Sequence, residues 1–137
     1  FLLNTVAREM NSQADGLLRQ KFGITYSQFF FLMITSEHPS IDVTRLADEL
    51  GVTKGAVSKR VSWFVERGFA TAEHPPDDSK RIEISLTKQG KQLADKAGNY
   101  LDQTFMSTIS QDHESDYGVL STELAKILDA LIQRRSG

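Results

Sequence analysis

The sequence predicts a mainly α-helical protein with one short β-hairpin past its midpoint, in the order α-α-α-α-β-β-α-α. Three observations predict it. Apolar residues recur at helical spacing near both ends of the chain, as Leu3, Val6, Met10, Ala14 and Leu17/Leu18, and later as Leu93, Ala97, Leu101, Phe105 and Ile109. Between those stripes, capping residues and glycines divide the chain into short helices. Only over residues 69–86 does the period become alternating, with Ile82, Ile84 and Leu86 interleaved by Glu83 and Ser85.

Each element has a local cause. Gly23 follows the first helix as a natural terminator. Thr25-Tyr26-Ser27-Gln28 fits a capping box, opening a second helix from Ser27 to about Ser36 that carries Phe29, Phe30 and Phe31. The aromatic run reads mainly as core, and His38-Pro39-Ser40 ends the helix. Asp42 caps a third helix, Val43 to Leu50, and Thr53 caps a fourth, Lys54 to Arg67, which Gly68 closes. Only Gly51-Val52-Thr53 separates the two, the length of a helix-turn-helix turn. Phe69 to Glu73 and Ile82 to Leu86 are β-compatible and flank the polar cluster His74-Pro75-Pro76-Asp77-Asp78-Ser79. Two strands around a polar loop, directly after a helix-turn-helix, make a wing, so the fold class is an α/β winged helix-turn-helix. A long helix from Lys88 to about Ser110, a polar stretch to Asp116, and a last helix striped by Leu120, Leu124, Ile127, Leu128 and Leu131 complete the chain. The outer stripes at both ends either cover a core within one chain or pair with a second copy; their length and continuity favour the second, a helical dimerisation region, 1–24 and 88–137, around a lobe at 25–87 within one domain, 1–137.

Composition narrows the function classes. At 137 residues, with 39% hydrophobic and 25% charged residues, this is an ordinary globular composition. Among these residues Cys numbers 0, so neither a disulfide nor a thiolate metal site is available. No apolar run approaches the roughly 18–20 residues needed to span a bilayer, and a cytoplasmic protein is expected. No nucleophile–base pair, phosphate-cradling glycine loop or paired-carboxylate site is visible, so we expect no enzyme and no cofactor. The net charge of -2 argues against a nucleic-acid binder in bulk. Locally the balance reverses, because Thr53 to Val65 carries Lys54, Lys59 and Arg60 and no acidic residue.

A helix of that kind fits the major groove of DNA with its N-terminal residues at base edges. On that basis Thr53, Lys54, Gly55 and Ser58 lie nearest the bases, with Lys59 and Arg60 placed for guanine edges or phosphates. Gly55 permits close backbone approach. In the wing, Lys80 and Arg81 are the candidates for minor-groove or phosphate contact, with Asp78 orienting one of them by a salt bridge.

Four segments in order resemble the MarR (multiple antibiotic resistance regulator) family. They are Gly23-Ile24-Thr25-Tyr26-Ser27-Gln28-Phe29, Leu46-Ala47-Asp48-Glu49-Leu50-Gly51-Val52-Thr53, Val61 to Gly68, and Asp78-Ser79-Lys80-Arg81-Ile82-Glu83-Ile84-Ser85-Leu86-Thr87-Lys88-Gln89-Gly90. The resemblance implies a homodimeric repressor on a pseudo-palindromic operator in double-stranded DNA, often released by a small lipophilic or phenolic effector. There are departures. The family's wing-tip arginine falls on Lys80, with Arg81 one place later; Glu73 stands where a positive residue is common, and Trp63 and Val65 where charges are usual. Two rival readings remain: a winged-helix module for protein–protein contact, favoured by the acidic balance, and a metal-responsive regulator. The nearest approach to a metal cluster is Asp112-His113-Glu114, and no metal ligand is assigned.

Overall fold

The computed structural model describes residues 1–112 and 117–137. Its elements in chain order are α1 (Leu2–Phe22), α2 (Tyr26–Ser36), β1 (Ile41–Asp42), α3 (Val43–Leu50), α4 (Lys54–Glu66), β2 (Ala70–Glu73), β3 (Glu83–Leu86), α5 (Lys88–Asp112) and α6 (Tyr117–Ser136). They divide into two compact units, residues 1–101 and 102–137, with the division falling inside α5. The winged helix-turn-helix lies within the first unit.

Local chemistry sets the helix boundaries. At the start of α2 the Thr25 hydroxyl accepts from the Gln28 N–H at 3.0 Å, while the Gln28 side chain accepts from the Thr25 N–H at 2.9 Å. Asp42 accepts from the Arg45 N–H at 2.8 Å, and Thr53 from the Ala56 N–H at 3.1 Å. α3 and α4 end in the same way. The N–H of Gly51 donates to Asp48 and that of Val52 to Ala47; Gly68 donates to Val65 and Phe69 to Phe64. Both turns need a left-handed residue, and Gly51 and Gly68 sit there at φ 68 and φ 77.

The sheet is antiparallel with strand order β1-β3-β2. β1 was absent from the expected order. Its two residues, Ile41 opposite Ile84 and Asp42 opposite Glu83, carry no periodicity and become a strand only by pairing with β3. Ile82 also departs from its expected half-buried place: it precedes β3 and is 37% exposed.

The core of the first unit sits between α2, α3, α4 and the sheet. Phe31, Leu32, Leu46, Val57, Phe64 and Ile84 are fully buried there. The rings of Phe31 and Phe64 stack at 4.7 Å and 7°, and Phe69 meets Phe64 edge-on at 6.4 Å. A well-placed aromatic pair contributes about 0.5–1.5 kcal/mol beyond its burial. Thr35 is buried and satisfied by donating to the Phe31 carbonyl at 2.7 Å.

The step from sheet to α5 is tightly built. The Thr87 hydroxyl donates to the Gly68 carbonyl at 2.6 Å and accepts from the Gly90 N–H at 3.1 Å, while the Thr87 N–H donates to the Phe69 carbonyl at 3.0 Å. A Cβ at Gly90 would run into that same carbonyl. Glycine is therefore required for close approach, not for an unusual backbone angle.

Helical stripes divide unevenly between core and surface. In α1, Ala14 and Leu18 are buried, whereas Leu3, Val6 and Met10 are exposed. In α5, Ala97 and Leu101 are buried. In α6 no residue is buried, and Leu120, Leu124, Ile127, Leu128 and Leu131 all stand open. Leu128, Leu131, Ile132 and Arg135 line a shallow apolar depression on this helix. The polar stretch expected as a loop from Ser110 begins inside α5, and 113–116 lie outside the described residues.

Candidate nucleic-acid interface

α4 is two-sided. Val57, Val61 and Phe64 point into the core, fixing the helix, while Thr53, Lys54, Gly55, Ser58 and Lys59 are exposed. Arg60 is half-buried at the edge between these faces. Its neighbour Lys59, one position earlier, lies well clear of the core. Thr53 serves the cap and leaves the first turn of α4 open to solvent. A Cβ at Gly55 would meet nothing nearer than the Thr53 hydroxyl at 3.9 Å, so the fold itself does not demand glycine at this exposed position.

The state of each cation matters as much as its place. Among the described residues, Lys54, Lys59, Arg60 and Lys80 make no ion pair. Arg67, at the far end of α4, is occupied: its guanidinium lies 3.9 Å over the Trp63 ring and donates to the Trp63 carbonyl at 3.0 Å. Trp63, expected as an oddity in a usually charged position, is the platform for that cation and meets Phe64 edge-on at 4.9 Å.

In the wing, Lys80 and Arg81 are both exposed but differ in partners. Arg81 Nη2 lies 3.2 Å from Glu83 and 3.9 Å from Asp77. Asp78, the carboxylate expected to orient a wing cation through a salt bridge, instead accepts the backbone N–H of Lys80 at 3.0 Å. It shapes the turn, and the side-chain pairing falls to Asp77 and Glu83. The difference is one of reach: Asp78 closes a local turn two residues on, a geometry short carboxylates favour.

Sequence reasoning gave no role to two wing residues, Glu83 and His74. Glu83 faces Asp42 on one side and Glu73 on the other, so three carboxylates share a row across the sheet. Arg81 offsets the central one. His74 donates from Nδ1 to the Arg81 carbonyl at 2.9 Å, a direction fixed because a carbonyl can only accept. Of these, only the Arg81–Glu83 pair left a readable signal, since residues two apart on a strand share a face.

Among the described residues no three His, Asp or Glu side chains gather into a metal-holding group. His38 meets Glu49 at 3.4 Å, which also accepts from Arg45 Nε at 3.2 Å. This is a surface ion cluster linking the end of α2 to α3. His113 and Glu114 lie outside the described residues.

Known proteins resolve the family. The sequence signature of the MarR family matches residues 22–81, which hold α2, the helix-turn-helix and the wing tip. The organic hydroperoxide resistance transcriptional regulator of Bacillus subtilis (strain 168) is 30% identical over 134 residues, covering 98% of this chain and 89% of that protein. The chain belongs to the MarR family. It is accordingly a DNA-binding transcriptional regulator of winged-helix fold, in a family of regulators rather than enzymes. Solved MarR-type structures repeat the fold. A mutant MarR from E. coli complexed with operator DNA superposes with TM-score 0.72 at 21% identity, over 93% of this chain and 94% of that one. NadR in complex with 4-hydroxyphenylacetate gives 0.75 at 20% identity, over 96% and 87%. No helix among the described residues is long and apolar enough to cross a membrane.

Proposed function

We propose that this MarR-family regulator is a homodimeric repressor that inserts α4 into successive major grooves of a pseudo-palindromic operator. The observation that carries this reading is the exposed face of α4, where Lys54 and Lys59 stand without ion-pair partners beside Gly55 and Ser58. A cation already matched by a carboxylate gains little from a phosphate, whereas an unmatched one releases counterions on binding. Arg60, half-buried, reaches from the edge of the same face. Lys80 makes the principal wing contact, because Arg81 is already held by Glu83 and Asp77.

The dimer is closed by the open apolar surfaces of α1 and α6, so that 25–87 is the reading lobe and 1–24 with 88–137 the dimerising part. Half-sites then lie about one helical turn, roughly 10 base pairs, apart. A small lipophilic or phenolic effector releases the repressor, in keeping with the aromatic ligand carried by the structural neighbour NadR. The protein works in the cytoplasm, where its operator is.

A fluorescence-anisotropy titration against duplex from upstream of its own gene, beside a scrambled duplex, tests this function. Binding that prefers the native duplex and weakens steeply with salt supports it. Equal, weak binding to both duplexes counts against it and favours a winged helix used for protein contact.

A further inference from the structure

Three N–H groups at the start of α2 are held by side chains. Two of the bonds are local, the reciprocal pair between Thr25 and Gln28. The third crosses between helices. Asp15, half-buried on α1, accepts the Tyr26 N–H at 2.8 Å through Oδ1 and Arg19 Nε at 2.7 Å through Oδ2. The capping box is complete without it, so helix formation alone does not explain Asp15. The Tyr26 N–H, and after it Arg19, hold the Asp15 carboxyl below the ordinary value of 3.8.

The bond joins two parts with different tasks. α1 carries the exposed apolar residues Leu3, Val6 and Met10 at its start and packs through Ala14 and Leu18 further along. α2 buries Phe31 against Phe64, a residue of α4 on the side opposite Lys59. A helix is stiff over so short a length, so fixing Tyr26 fixes where Phe31 meets Phe64. Resting on the DNA-reading role of α4, we infer that Asp15 is a positioning residue, setting α2, and through the Phe31–Phe64 stack the recognition helix, at a defined pose against α1.

Three variants test this: Asp15→Ala, Asp15→Asn and, as control, Thr25→Ala, which removes a cap of the same helix without touching the link to α1. Two readouts are taken. The first is the ratio of affinities for native and scrambled duplex, which a simple loss of stability leaves unchanged. Asp15→Ala should lower that ratio about tenfold, the scale of coupling through packed elements. Asp15→Asn, whose Oδ1 still accepts from Tyr26, should restore most of it, and Thr25→Ala should leave it unaltered. The second readout needs no DNA: amide hydrogen exchange along α4, corrected for the change in global stability. Faster exchange at residues 57–64 in Asp15→Ala but not in Thr25→Ala is expected. Exchange that quickens only around residues 24–28 in both variants would overturn the inference, as would an equal effect of both on the affinity ratio. If the unaltered protein does not distinguish the duplexes, the operator reading fails, and the exchange measurement still decides the role of Asp15.

Discussion

α4 and α6 are both helices with a large exposed face, yet those faces have opposite chemistry. α4 buries Val57, Val61 and Phe64 and shows solvent a polar, cationic side, Lys54, Ser58 and Lys59. α6 buries nothing and shows solvent leucines, with Leu128 at 57% and Leu131 at 58% exposure. The first helix belongs to a core that is already closed, so its outward residues are free to be chosen for a partner in water. The second has no buried residue of its own, and its outward residues ask for an apolar surface. An exposed cationic face and an exposed apolar face call for different partners, and those proposed above are an anionic polymer and a second copy of the chain.

The sharpest way to break this contrast is on α6. Burying a leucine side chain contributes about 1.5–3 kcal/mol, and a symmetric dimer loses each one twice. Leu128→Asp with Leu131→Asp should therefore raise the dimer dissociation constant by at least about three orders of magnitude, read by sedimentation. An unchanged dimer would show that α6 is not the partner surface.

A second effect concerns the closed unit. Gly90→Ala forces a methyl group against the Phe69 carbonyl, where backbone cannot yield cheaply. Overpacking of that kind costs about 1–3 kcal/mol, visible as a lower denaturant midpoint. The equivalent change at Gly55 makes only an ordinary contact with the Thr53 hydroxyl and should leave stability within about 1 kcal/mol while weakening DNA binding.

The wing offers a finer test. Lys80→Ala should reduce the salt slope of DNA binding by about 1.8, the loss of one phosphate contact from each subunit of the dimer. Arg81→Ala should change the slope less, because Glu83 and Asp77 already offset that charge. Equal effects would show that Arg81 leaves its carboxylates on binding.

The smallest effect lies in acid. A carboxyl held below 3.8 stabilises the fold above the ordinary range and loses that contribution as pH falls through its lower folded value. Thermal stability of the unaltered protein should then fall more steeply than that of Asp15→Asn as pH falls from above the ordinary carboxyl value of 3.8 to below it. Parallel profiles would show that Asp15 is not held in this way.

What was legible in the sequence was local. Thr25 with Gln28, Asp42, Thr53, Gly51 and Gly68 each act within five residues, and each boundary fell within a residue or two of its expected place. The face of α4 was legible too, since burial of Val57, Val61 and Phe64 follows from spacing alone. What was hidden depends on partners distant along the chain. β1 is two residues that matter only beside β3. Asp15 meets Tyr26 eleven residues away and across a turn. The stripes of α1 and α6 mark both segments as helical, but a period says only that one face is apolar, not what covers it.

The most direct measurement is the affinity for native operator duplex of the double variant Lys59→Glu, Arg60→Glu, with its dimer state taken on the same sample. If α4 reads DNA from a dimer held together elsewhere, sequence-preferring binding disappears while the dimer persists. Unchanged DNA affinity with an intact dimer would contradict the assignment of α4 as the reading helix.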